Sequence, residues 1–409
     1  MNRRERILAA LNHFESDRTP VDIDGYRSSG ITAVAYVKLR KYLGLPQKTV
    51  YVFDPIQQLA RVDQDVLERL GGDTVEMGRG FQLSESAWAD WELSDGTPAK
   101  IPAWAQPVRH GRDWVLRSRS GRILARMPEG GLYFSQEYFP FVDHCDLDNI
   151  QGAMAESMWS GILIPPGPLA EGPEGLKKLA EGAKALRSRT DRAIIGIFGG
   201  SLFETGQFLF RNDNYFLLLA GEPAKAHDFL DRLVEMHLGN LEKFLGAVGK
   251  YIDVILFSDD LGMQTGPQIS PAMYREFFKP RHKIMWERAK KLAEVKVKLH
   301  CCGGVRELFP DLIEAGLDAI NPVQISCRGM DARELKAEFG RDIVLWGGGC
   351  DTQDILPNAT PEAVRRHVQR QLEILGPGGG FVFQQVHNIQ ANVPPENIVA
   401  MYDSVNSQA

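Results

Sequence analysis

No run in this chain is long and apolar enough to span a bilayer: the most apolar short stretch, FLLLA at 216–220, is far below the ~20 residues a spanning helix needs. Cysteine is scarce, with five in 409 residues and no regular spacing. That excludes a disulfide framework and fits a reducing compartment. Positive charge is not in excess: 47 Lys and Arg against 53 Asp and Glu give a formal charge of -6, which argues against a general nucleic-acid surface. There is no short repeat and no low-complexity tract. The opening MNRRERILAALNHF is amphipathic with no cleavage-like site after it, so a surface helix is expected there rather than a leader. The expectation is a soluble, cytoplasmic protein that binds neither membrane nor nucleic acid.

What is present is ordinary globular composition, 44% apolar and 24% charged, in a chain long enough for a large core. Periodicity predicts helices over 3–13, 33–43 and 57–70 and short strands around 20–26 and 73–77. Between about 80 and 140 the texture changes to tryptophans (Trp88, Trp91, Trp104, Trp114), turn pairs and alternating runs such as WVLRSRSGRILARM. That pattern predicts β-hairpins inserted into another domain. After 150, apolar strands alternate with helices: RAIIGIFGG (192–200), YIDVILFSDDLG (251–262), VKVKLHCCGG (295–304), DAINPVQ (318–324), DIVLWGGGCD (342–351) and GGFVFQQVHN (379–388). Such alternation means a parallel sheet covered by helices. With the early strands the count approaches that of a (β/α)8 TIM barrel, an α/β fold, so 1–409 reads as one domain with a β-rich insertion at 80–140.

In such a barrel function sits at the C-terminal strand ends. Those ends carry Asp22 and Asp24, Asp259 and Asp260, His300 and Cys302, Asn321 and Gln324, Cys350 and Asp351, and His387 and Asn388. On a strand, His300 and Cys302 share one face and Cys301 the other. A neutral imidazole and a thiolate aimed at one point supply part of a zinc site, and a catalytic zinc keeps three protein ligands and one open position. Cys350, closing WGGGCD, is the favoured third ligand, and His387 competes for that role. Asp259 and Asp260 follow the strand VILF, so at least one carboxylate faces the mouth and suits acid/base work. His387 is the other acid/base candidate. Asp24, Glu204, Asn321, Gln324 and Asn388 are candidate substrate contacts.

The segments ERILAALNHFESDRTPVD (5–22), SDDLGMQTGPQISPAMYREFFKP (258–280), KLHCCGG (298–304), AGLDAINPVQ (315–324), ATPEAV (359–364) and VHNIQANVPPENIVAMYD (386–403) give the chain a family likeness. It resembles the uroporphyrinogen decarboxylase superfamily, which also holds corrinoid-dependent methyltransferases. In true decarboxylases a basic segment after R-x-P-V grips the substrate carboxylates. Here Asp22-Ile23-Asp24-Gly25-Tyr26-Arg27 follows, and acids there would repel a polycarboxylate. The methyltransferase branch is similar at H-x-C-G, matched by His300, Cys302 and Gly303. The resemblance therefore implies a zinc-dependent methyltransferase moving a methyl group between a small-molecule donor or thiol and a corrinoid (cobalamin) carried by a partner protein. The alternative is a metal-free decarboxylase or lyase. Barrels of this kind often dimerise, so a homodimer is a candidate assembly.

Overall fold

The computed structural model describes residues 1–78, 85–163 and 172–407. Seven parallel strands form one sheet in the order β7-β6-β5-β4-β3-β2-β1: β1 (Thr74–Met77), β2 (Ala193–Gly199), β3 (Val254–Ser258), β4 (Lys296–His300), β5 (Ala319–Asn321), β6 (Val344–Trp346) and β7 (Phe381–Val382). The two ends meet at Val21. It bridges Phe383 in parallel, and its carbonyl accepts from Asp73 N just before β1 at 2.8 Å. A one-residue stave thus closes the TIM barrel, where the sequence pattern suggests a longer strand at 20–26.

Alternation along the strands sorts side chains into two shells. Ala193, Ile195, Val254, Leu256, Ala319, Val344, Trp346 and Val382 form the inner cluster, while Ile194, Ile255, Leu299 and Leu345 face the helices. The N-terminal opening is stoppered by α1 (Arg3–Leu11), whose Ile7, Ala10 and Leu11 join the inner cluster. A capping box between Asn2 and Glu5 starts that helix. The C-terminal opening is left for chemistry.

The expected helix at 57–70 covers only Gln64–Leu70, because Leu59–Ala60 is drawn into a second sheet, antiparallel to Val50–Asp54 and Ile31–Thr32. Strands Trp88–Glu92 and Pro98–Pro102 extend that same sheet, the latter parallel to Val50–Asp54. A further sheet holds Val108–His110, Asp113–Arg117, Ile123–Met127 and Ser135–Gln136. The first residues of the expected 80–140 segment, up to 84, lie outside the described residues. No helix among the described residues is long and apolar enough to cross a membrane.

Candidate functional site

Strand register builds the floor of the site. Ser258, His300 and Asn321 stand side by side on β3, β4 and β5 at their C-terminal ends, and all point inward. Asn321 is fully buried and uses its whole hydrogen-bonding capacity. Its Nδ2 donates to Trp346 O at 3.0 Å and Gln384 Oε1 at 2.9 Å. Its Oδ1 accepts from Ser28 Oγ at 2.9 Å and from His300 Nδ1 at 3.0 Å. Because the amide nitrogen is spent on two acceptors, Asn321 Oδ1 must be the acceptor for the ring, and His300 carries its proton on Nδ1. Its Nε2 lone pair is then directed at Cys302 Sγ, 3.4 Å away. A ligating histidine oriented by a hydrogen bond on its other nitrogen is the arrangement metal sites use.

His300, Cys302 and His387 form a cluster in which one ligand atom from each lies within 4.8 Å of the others. These spacings suit three corners of a tetrahedron around zinc with one corner open. The protonation states fit as well. Burial pushes His300 and His387 below the usual histidine range, so both are neutral ligands near neutral pH. Burial, then the nearby Asp260 carboxylate, pushes the Cys302 thiol well up. The thiolate therefore needs a cation to form, which is how such sites couple metal uptake to proton release.

Cys350 is not brought into this cluster. The glycine turn Gly347–Gly349 carries it past the mouth, it bridges Gln385 in parallel, and its buried thiol faces Asp351 O at 3.7 Å. Cys301 points the other way, into the helix-facing core, where its sulfur accepts from Leu261 N at 3.4 Å. The turn after Cys302 needs Gly303, with φ 93° and a Cβ position only 2.2 Å from the Gly262 carbonyl carbon.

The adjacent acids divide by parity. Asp259 is fully buried and turns away from the mouth: its carboxylate accepts from the N–H groups of Leu202, Phe203 and Glu204 at the start of α2 (Phe203–Phe210), and from His282 Nε2 at 3.0 Å. It caps a helix, which corrects its assignment as an acid/base group. Asp260 faces the mouth with 32% of its side chain exposed, accepts from Cys302 N at 2.7 Å, and lies 3.8 Å from His300 Nε2. Glu204 also lines the cavity and accepts from Ser258 Oγ at 2.9 Å. Burial, with Asp260 and Asp259 nearby, holds its carboxyl well above the ordinary range.

The remaining candidates act as scaffold. Gln324 Oε1 accepts from Gly303 N at 2.8 Å and braces the loop carrying Cys302. Asn388 donates to Gln57 Oε1 at 2.7 Å. Asp24 is buried and accepts from Val62 N at 3.1 Å. Asn321 acts through His300 rather than lining the cavity. Asp22 is sealed within the barrel, 3.4 Å from Lys298 Nζ, so it is not placed to repel a substrate's carboxylates.

Above this floor opens a cavity of ≈ 1280 Å³ that reaches from His300, His387, Asp260 and Glu204 to Trp104, Arg119 and Trp159. Sequence reasoning missed Tyr26, whose ring meets His300 edge-on at 5.1 Å and whose hydroxyl pairs with Ser258. It also missed Arg27, Ser258 and the wall of Trp104 and Trp159. Lys298 was open to discovery, since it sits two residues before His300 on the same strand face.

A parallel α/β barrel with a His/Cys cluster at its C-terminal mouth defines the class of protein. The model of the uroporphyrinogen decarboxylase (URO-D) family matches residues 163–408, and the chain belongs to that family, as its motifs suggest. It is 29% identical over 197 residues to a methylated-thiol–coenzyme M methyltransferase of Methanosarcina mazei, covering 45% of this chain and 48% of that protein. It is also 29% identical over 188 residues to a uroporphyrinogen decarboxylase of Psychromonas ingrahamii, covering 45% and 49%. The matches thus span about half the length of these curated relatives. A solved methyltransferase from Methanosarcina mazei superposes over 100% of this chain and 99% of its own at TM-score 0.59 and 18% identity. That likeness is one of fold.

Proposed function

We propose that this protein is a zinc-dependent methyltransferase, moving a methyl group between a small-molecule donor or thiol and a corrinoid carried by a partner protein at the barrel mouth. The observation that carries the reading is the His300–Cys302–His387 cluster, with His300 held in the ligating tautomer by Asn321. His387 is the third ligand in this reading and Cys350 is not. Bound there, zinc would act as a Lewis acid on the sulfur or oxygen that bears or receives the methyl group. The chain's own residues do the rest. Asn321 and Ser28 orient His300, Gln324 braces the Cys302 loop, and Tyr26 packs edge-on against the imidazole. Glu204, whose carboxyl burial and neighbouring acids push well above the ordinary range, is placed to hand a proton to a leaving oxygen or sulfur, and Asp260 stands beside it. The similarity to a methylated-thiol methyltransferase supports the reaction class, and scarce unpaired cysteines suit a reducing cytoplasm.

The test is metal analysis of protein purified without added zinc, followed by cobalt substitution and methyl transfer to reduced cobalamin. About one equivalent of metal with a thiolate-to-cobalt absorption band is expected for a three-ligand site of this kind. Less than about a tenth of an equivalent, with His300→Ala fully active, would overturn the reading. The second reading is a metal-free carboxy-lyase using Asp260, His387 and Glu204. Full activity in a strong chelator would favour it.

A further inference from the structure

Behind the barrel wall, a chain of buried hydrogen bonds runs from Tyr274 to the helix that carries Glu204. The side chains of His282 and Asp259 are 2% and 0% exposed. His282 Nε2 meets Asp259 Oδ2 at 3.0 Å, and the Tyr274 hydroxyl meets His282 Nδ1 at 3.1 Å. Asp259 is already an acceptor for three N–H groups, so His282 carries its ring proton on Nε2 and donates it there. Nδ1 then accepts from the Tyr274 hydroxyl. Trp286 stacks on the imidazole at 4.9 Å with the planes 9° apart, which fixes the plane of the ring.

The backbone is shaped for this contact. In a regular α-helix residues eight apart, as Tyr274 and His282 are, sit about 80° apart round the axis. Tyr274–Phe278 instead form a π turn that runs into the helix Lys279–Leu292. The wider turn takes up one extra residue, so the pair is spaced as if seven apart and shares a face.

At the other end Asp259 holds the start of α2. Its Oδ2 accepts from Leu202 N at 3.2 Å and Phe203 N at 3.1 Å, and its Oδ1 from Glu204 N at 2.9 Å. The loop entering α2 has Gly199 and Gly200 at φ 83° and 64°, residues with little backbone preference of their own. Side-chain holds therefore set where the helix begins. Ser258, just before Asp259, donates to the Glu204 carboxyl at 2.9 Å. The end of β3 thus grips Glu204 twice, by its main chain through Asp259 and by its side chain through Ser258. Without the His282 bond, the Asp259 carboxylate is free to turn and no longer presents both oxygens to the three amides.

We propose that His282 is a positioning residue for the reaction: acting through Asp259, it fixes the start of α2 and with it the place of the Glu204 carboxyl beside Asp260 at the barrel mouth. The consequence for turnover rests on the proposed role of Glu204 as proton donor. The hold on the helix does not.

Two neutral replacements separate the donor from mere packing. His282→Gln places an amide nitrogen about where Nε2 stood, whereas His282→Asn reaches only about as far as Nδ1. On the zinc-loaded full chain, His282→Asn is expected to speed hydrogen exchange of the Leu202, Phe203 and Glu204 amides on the order of 10- to 100-fold, as loss of a bond to a charged group implies. Methyl transfer from dimethyl sulfide or methoxybenzene to reduced cobalamin should lose about tenfold or more in kcat with KM little changed. His282→Gln should restore both. In a Glu204→Gln background His282→Asn should lower kcat no further, because the group it positions is gone. Unchanged exchange in His282→Asn, an equal loss of kcat in both backgrounds, or His282→Gln no better than His282→Asn overturns the proposal. His282→Leu replaces His282→Asn should that variant not fold. Wild-type protein that transfers no methyl group from either donor would count against the proposed function, and the exchange ranking would still decide the positioning role.

Discussion

Two layers of the same barrel, roughly 7 Å apart along β4, show opposite ways of using buried polar groups. In the lower layer Lys298 and Asp22 are both 0% exposed and paired at 3.4 Å. Asp22 also accepts from Trp346 Nε1 and Thr74 Oγ1, each at 2.7 Å, and from Gly25 N and Ser29 Oγ, each at 3.0 Å. Lys298 lies 3.9 Å from the Trp346 ring centre. Every lone pair there has a partner, so the layer is a closed structural unit. In the upper layer Asn321 holds His300 Nδ1, its Nε2 faces Cys302 Sγ at 3.4 Å, and one ligand atom each of His300, Cys302 and His387 lies within 4.8 Å of the others. The difference teaches how to separate scaffold from candidate site among buried ionisable groups: burial is common to both, and convergence of metal-ligating atom types on one point is not.

That contrast can be broken from either side. The largest effect is expected in the upper layer: His300→Ala or Cys302→Ala should lower zinc affinity and methyl transfer by on the order of 10³-fold or more, with the thermal midpoint of the metal-free protein little changed. Plasma-source mass spectrometry and a cobalamin methylation assay check this. In the lower layer Lys298→Met strands a buried carboxylate and should cost about 3–5 kcal/mol in urea unfolding. Asp22→Asn added to it should recover much of that loss, and zinc per folded molecule should stay constant. Asn321→Ala, at the join between the layers, should weaken zinc binding by about 10- to 100-fold through loss of His300 orientation.

A gentler probe is pH. The free Cys302 thiol is held up by burial and Asp260, so it is protonated when metal-free and deprotonated when ligated. His300 and His387 are depressed by burial and release no proton above the usual histidine range. Zinc affinity should therefore rise with pH by about tenfold per unit between ~6.5 and ~8.5, a one-proton slope. A two-proton slope would mean a second thiol, such as Cys350, joins the site. The smallest effect is expected for Cys350→Ala, which should leave zinc stoichiometry within error. Loss of metal there would overturn the assignment of His387.

Much of this was legible along the chain. The strand–helix alternation after 150 and the polar strand ends describe a barrel, because a strand buried on both faces must be a short apolar run and its exit must be polar. His300 and Cys302 share a face by the two-residue period. Strand period also sends Asp259 and Asp260 to opposite sides, but which of them faces the mouth depends on where β3 ends. The helix expected at 57–70 was shortened because Leu59–Ala60 found strand partners on both sides, and tertiary pairing overrides local periodicity.

The chain by itself determined the barrel, the family and the shared strand face of His300 and Cys302, since these follow from periods of two and 3.6 residues and from residue types that occupy them. Only the tertiary structure decided that His387 rather than Cys350 meets the pair, that Asp259 caps a helix, and that Asp22 is sealed by Lys298. Each of those depends on where a loop or a distant strand places a side chain in space. Such placement is set by packing between segments hundreds of residues apart, and no local pattern encodes it.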